Sequence, residues 1–129
     1  MKGFGTDIER LTSENRDFRR VLYTGPHSQL VVMSLEPREE IGMERHPNGD
    51  QFIRVESGEG VALIDGTRYS LSDGIAVVIP AGSEHNVINT SGSAPLRLYT
   101  IYSPAQHADG TVHRTKQDAL EEEPRAPER

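Results

Sequence analysis

The stretch "GIAVVIPAGSEHNVIN", residues 74–89, contains two predicted β-strands joined by a tight turn. Its first half is a continuous apolar run, read as a strand that is stopped by Pro80. Pro80 and Gly82 predict a sharp turn that presents His85 at the start of the second strand. Because side chains two apart on a strand share a face, His85 is expected to point the same way as Val87 and Asn89.

The same alternation of short strands and turns continues on both sides of this stretch. Further strand-like segments, rich in β-branched and apolar residues, occupy 28–37, 51–58, 59–66, 67–72 and 96–104. Asp65-Gly66 is a hairpin signal, and helical turns are expected only near 7–11 and 116–122. Many short strands separated by Gly/Pro turns predict an all-β fold, a small antiparallel β-barrel or sandwich, rather than an α/β fold.

Composition narrows the possible functions. A chain of 129 residues is long enough for one packed core, which must be aliphatic because only 34% of residues are hydrophobic and there is no Trp. The net charge of −6 argues against nucleic-acid binding. No run of about 18 apolar residues predicts a membrane span, and no apolar stretch near the start resembles a signal peptide. With no cysteines, disulfides and thiolate chemistry are excluded. A cytoplasmic location is expected.

A polar patch precedes the strand at 51–58. Glu44 and His46 share a face if residues 41–46 are extended, and the turn-forming residues 47–50 then fold Gln51 back beside His46. If these side chains and His85 all face the barrel interior, a carboxylate, an amide oxygen and two imidazoles converge. Such a set is costly to bury alone and suits a metal ion. Each histidine taken singly is equally compatible with a structural role.

Both regions resemble the motifs of the cupin family. The second cupin motif is matched at every fixed position, by Gly74, Pro80, Gly82, His85 and Asn89. The first motif is matched in its spacing from Glu44 through His46 and Gln51 to Gly58, although Glu44 replaces the family's first His and Gln51 replaces its Glu. The motif's opening Gly would fall at position 38, where this chain has Arg. The resemblance covers residues 19–104.

The resemblance implies a double-stranded β-helix, the cupin jelly roll, with one divalent metal per chain (Mn, Fe, Zn or Ni). Glu44, His46, Gln51 and His85 are its predicted ligands, with a small molecule bound at the mouth of the barrel. Glu44 and Tyr102 are candidate catalytic residues, since Tyr102 is expected to point inward. Two function classes stay open: a metal-dependent enzyme of isomerase, lyase or dioxygenase type, and a non-catalytic binding or sensory cupin.

The remaining predictions concern organisation and partners. We expect an N-terminal extension (1–18), the barrel (19–104), a C-terminal loop packed on the barrel (105–120) and a charged, disordered tail (121–129). His107 and His113 lie in that loop, where they are structural or line the mouth. A homodimer is expected, because Phe52 points away from the interior and the segment "FRRVLYTG" (18–25) is a candidate for pairing with a partner's sheet. No nucleic acid or membrane is expected as a partner.

Overall fold

A computed structural model describes residues 1–122 and shows ten strands with a short helix at each end of this range. The elements are α1 (Ile8–Glu14), β1 (Arg19–Thr24), β2 (Gln29–Leu35), β3 (Glu44–Arg45), β4 (Asp50–Ser57), β5 (Gly60–Ile64), β6 (Thr67–Leu71), β7 (Ala76–Ile79), β8 (Glu84–Asn89), β9 (Leu96–Ser103), β10 (Val112–His113) and α2 (Lys116–Glu122).

The strands form two sheets in which every pairing between neighbours is antiparallel. One sheet has the order β10-β1-β2-β9-β4-β7 and the other the order β3-β8-β5-β6. Inward side chains alternate with outward ones along β4 and β9, and the buried set is mainly Val, Ile and Leu, as the composition predicts. The predicted all-β jelly roll is confirmed, and helix is confined to the termini.

Turn chemistry explains several of the strand boundaries. Asp65 and Gly66 have φ of 46° and 82°, the pair of positive values that a two-residue hairpin between β5 and β6 requires. Gly58 has φ of 107°, and a Cβ there would lie 2.5 Å from the carbonyl oxygen of Pro95. No larger residue fits that position without moving the backbone.

The N-terminal segment packs on the outer face of the larger sheet. Asp7 caps α1 by accepting a hydrogen bond from the backbone N–H of Arg10 (3.2 Å), and α1 contacts β9, β4 and β2. Phe52 points outward as predicted, but it is half-buried and its ring lies 6.3 Å from that of Tyr99. Strand β1 pairs with β2 and β10 of its own chain. The homodimer stays a prediction.

The region after the barrel is more ordered than the sequence suggests. Residues 105–120, predicted as a loop packed on the barrel, include strand β10 on the edge of the larger sheet. The helical turn expected near 116–122 is present as α2. Glu121 and Glu122, predicted to belong to a disordered tail, instead end α2, and residues 123–129 of that tail lie outside the described residues. Within residues 1–122, no helix is long and apolar enough to cross a membrane.

Candidate metal centre

Three side chains from the two motifs meet between the sheets. Glu44 in β3 lies directly opposite His85 in β8, and His46 follows two residues after Glu44. The Oε1 atom of Glu44 lies 3.5 Å from Nε2 of His46 and 3.9 Å from Nε2 of His85. One potential ligand atom from each of the three lies within 4.8 Å of the others. This is the geometry of a site that a single cation can fill.

Hydrogen bonds from the backbone fix how these ligands are presented. Nδ1 of His85 lies 3.0 Å from the carbonyl oxygen of Ser83, to which it donates when it carries the ring proton. That tautomer leaves the lone pair of Nε2 directed toward Glu44, the arrangement that metal-binding histidines adopt. The backbone N–H of Gly82 donates to the carbonyl oxygen of His46 (3.0 Å). The two turns that carry the two histidines are therefore tied together.

Several polar atoms here are buried without a hydrogen-bond partner among residues 1–122. They include Nε2 of His46, Nε2 of His85 and Oε1 of Gln51. The amide nitrogen of Gln51 donates to Oγ1 of Thr100 (3.0 Å), so it is the oxygen that is left over. An unpaired buried acceptor costs about 1–3 kcal/mol, and native proteins rarely leave one unpaired. The three unpaired atoms are explained together if they serve a ligand.

Neighbouring groups lower the pKa of Glu44, and burial lowers the pKa of His85. Burial opposes ionisation of Glu44, but contact with His46 and the charges of His46, Arg19 and His85 outweigh it, so the pKa of this carboxyl lies below its usual value. Burial lowers the pKa of His85, and its bond to Ser83 and the Glu44 charge offset this only in part. At 3.5 Å the Glu44–His46 contact is electrostatic rather than a well-formed hydrogen bond. An ionised carboxylate and a neutral imidazole are what a metal requires at neutral pH.

Of the four predicted ligands, the structure brings Glu44, His46 and His85 together. Gln51 is buried and lies opposite Tyr102 in the β4–β9 register, and its assignment as a ligand stays a prediction. Tyr102 faces inward, as expected, and its ring meets that of His46 edge-on with centroids 5.7 Å apart. It therefore lies beside the candidate centre.

Two residues near the centre were missed by the sequence reasoning. Thr100 accepts from Gln51 and donates to the carbonyl oxygen of Phe52 (2.8 Å), so it orients the predicted ligand. Its inward position two residues before Tyr102 was the available signal. Arg19 is 1% exposed and its charge acts on Glu44, yet nothing in a strand of mixed residues marks an arginine as inward-facing.

The histidines outside the motifs have separate surroundings. His113 is buried, with Nδ1 3.3 Å from Nη1 of Arg19 and Nε2 3.2 Å from Oε1 of Glu122. It links β1 to α2, which is the structural role expected for it. His27 is exposed at the surface. His107 contacts Tyr102, with ring centroids 5.3 Å apart.

Comparison with known proteins agrees with this architecture. The Cupin_2 family model, which describes the cupin domain, matches residues 31–102, more than half of the chain. The chain belongs to the cupin family.

Three relatives show how far the likeness extends. The chain is 48% identical over 125 residues to the uncharacterized protein YrkC of Bacillus subtilis, covering 92% of this chain and 67% of YrkC. It is 47% identical over 109 residues to the uncharacterized protein L612 of Acanthamoeba polyphaga mimivirus, covering 82% and 68% of the two chains. The crystal structure of BH2720 from Bacillus halodurans superposes with a TM-score of 0.90 at 45% identity, covering 93% of this chain and 95% of that one.

Proposed function

We propose that this cupin binds one divalent metal through Glu44, His46, Gln51 and His85, and uses it as an enzyme on a small polar molecule. The observation that carries the proposal is the cluster of three ligand atoms within 4.8 Å of one another, in which both imidazole Nε2 atoms have no hydrogen-bond partner among residues 1–122. Two imidazoles, a carboxylate and an amide oxygen suit Mn, Fe, Zn or Ni.

The chemistry of the donor set favours a reactive centre over a purely structural one. Four protein ligands leave up to two positions of a six-coordinate ion for substrate or water, whereas structural sites have closed shells. A bound divalent ion would supply Lewis-acid polarisation of a substrate oxygen or activation of water or dioxygen. Gln51 is neutral, so it would leave the metal more electropositive than the glutamate that the cupin motif usually places there.

The residues around the centre have separable tasks in this proposal. His46 and His85 supply the two imidazole ligands, and the carbonyl oxygen of Ser83 holds the ring of His85 in place. The Glu44 carboxylate, ionised at neutral pH, is a ligand that can also accept a proton from a bound substrate. Tyr102, buried against His46, shapes the wall and helps to exclude water. The reaction class is an isomerase, lyase or dioxygenase type.

Metal content of purified, untagged protein tests the metal centre. We expect about one equivalent per chain in the wild type and far less in His85→Ala, because an Nε2 ligand is removed. His27→Ala is the matched control, since His27 is exposed and distant in sequence from both motifs. Full metal retention in His85→Ala contradicts the assignment.

A screen of hydroxy acids, keto acids and sugar derivatives against the metal-loaded protein separates enzyme from binding protein. Turnover that Gln51→Ala abolishes, at a metal concentration high enough to keep the variant's centre occupied, supports catalysis. Ligands that raise the melting temperature and are recovered unchanged with each of the four metals support a sensory or binding cupin instead.

A further inference from the structure

The loop that follows β9 is held against the candidate centre by a buried glutamine. Gln29 is 0% exposed and lies opposite Tyr102 in the β2–β9 register. Its Nε2 donates to the carbonyl oxygen of His107 (2.8 Å), and its Oε1 accepts from the backbone N–H groups of His107 (3.1 Å) and Gln106 (3.2 Å). Both backbone groups of His107 are thus fixed by one side chain that has no freedom to move.

The same loop also packs against the turn that carries His46. A Cβ on Gly49 would lie 3.0 Å from Nε2 of Gln106 and 3.1 Å from the carbonyl oxygen of Ser103. The turn and the loop are therefore in contact with no room for a side chain between them. His107 and His46 belong to two segments that are locked together.

Tyr102 connects the two imidazoles. Its ring meets that of His107 at 5.3 Å with an interplanar angle of 74°, and that of His46 at 5.7 Å with an angle of 83°. The half-buried ring of His107 consequently lies one aromatic ring away from the candidate centre. The amide of Gln29 satisfies buried backbone groups of the loop and thereby fixes where the His107 ring lies relative to Tyr102.

We propose that His107 is a ligand-binding residue that takes the end of the substrate remote from the metal. This inference rests on the proposed function and adds a substrate class: a small acid with two oxygen-bearing groups separated by a few carbons. One group occupies the centre formed by Glu44, His46 and His85. The second, an anionic oxygen, accepts a hydrogen bond from the His107 imidazole across the edge of Tyr102, and an ionised acceptor makes that bond strong.

Binding of simple carboxylates to the cobalt(II)-loaded protein tests this assignment. Acetate engages the metal alone, whereas malonate, succinate and glutarate carry a second carboxylate at increasing distance. Dissociation constants come from changes in the visible cobalt spectrum. We expect the wild type to bind at least one diacid more tightly than acetate. His107→Phe should weaken that diacid about tenfold and leave acetate binding and metal content unchanged.

Two further variants keep the test sharp. His107→Gln retains a hydrogen-bond donor and should restore part of the preference, and Gln29→Met should reduce the preference although His107 is present, because the loop is released. His27→Phe, at an exposed position, should have no effect.

The outcomes distinguish this inference from the function on which it rests. A wild type that takes up no metal defeats both. Normal metal uptake with no preference for any diacid over acetate overturns the role of His107 alone, as does an equal loss of acetate and diacid binding in His107→Phe.

Discussion

Two buried amide side chains, Gln51 in β4 and Asn89 at the end of β8, use their hydrogen-bonding groups very differently. Nδ2 of Asn89 lies within hydrogen-bonding distance of the carbonyl oxygens of Leu35, Glu36 and Ala94, at 2.9–3.1 Å, and its Oδ1 accepts from the backbone N–H of Ser91. Gln51 makes one hydrogen bond through Nε2, to Thr100, and its Oε1 has no partner within residues 1–122.

The difference separates two kinds of motif residue. Asn89 is 0% exposed and satisfies backbone groups of two loops that would otherwise be buried unpaired, so its role is to hold the barrel together. Gln51 is equally buried, yet its acceptor is directed to nothing in the described chain. The two amides, one from each family motif, therefore differ in their hydrogen bonds: those of Asn89 stabilise the fold, and the unpaired oxygen of Gln51 is the one that the proposed metal centre would use.

The largest expected effect is a loss of stability on removing Asn89, whose amide groups are all hydrogen-bonded. Asn89→Ala leaves several buried carbonyl and N–H groups unpaired and should lower the free energy of unfolding by about 3 kcal/mol. Urea denaturation followed by circular dichroism measures it. Metal bound per folded molecule should not change. A loss below about 1 kcal/mol would mean that water or loop movement replaces the bonds of Asn89.

Removing the amide of Gln51, whose oxygen is unpaired, should instead lower metal affinity and leave stability nearly unchanged. Gln51→Met is close in shape and eliminates an unpaired buried oxygen, so the metal-free protein should keep its stability to within about 1 kcal/mol. Metal affinity, measured by competition with a chelator, should fall at least about tenfold. Gln51→Glu is the matched control and should retain the metal. A Gln51→Met protein with undiminished affinity would show that the unpaired oxygen serves something other than the metal.

The smallest expected effect is a gain in stability. Arg38 is exposed and has φ of 69°, a left-handed conformation that a side chain disfavours. Arg38→Gly should raise the free energy of unfolding by about 0.5–1 kcal/mol, read as a higher urea midpoint. Arg38→Ala retains the Cβ and should bring no such gain. Equal stabilisation by both substitutions would show that the effect comes from removing the charge rather than from relieving the backbone.

The sequence predicted the fold where local chemistry dictates structure. Asp65-Gly66 marks a hairpin because the two residues tolerate positive φ, and the second motif places His85 at a strand start because Pro80 and Gly82 end the preceding strand. Arg38 is the converse case, a residue whose type does not match its backbone conformation. Arg38 stands where the family motif has its opening Gly, and its φ of 69° lies in the left-handed region that glycine adopts without strain.

What the sequence did not reveal depends on distant contacts. Strand β10 has only two residues and forms because β1 offers it a partner. A helical turn near 116–122 was expected, but the contact of its Glu122 with His113 was not. Likewise the contact of Arg19 with His113 and the hydrogen bonds of Gln29 to the backbone of His107 join segments that lie about 80 or more residues apart. No local pattern encodes such pairings, since each is decided by the packing of the whole barrel.

The link between the two histidine-bearing turns has a consequence for how the centre would be filled. The N–H of Gly82 donates to the carbonyl oxygen of His46, and that of Ala81 donates to Oδ1 of Asp50 (2.9 Å), so the spacing of His46 and His85 is set by the folded chain itself. A cation at the proposed centre would then meet ligands that the folded chain already holds together. Such a site does not depend on the metal for its shape. The metal found there in a cell would then depend on which ions are available to the folded protein.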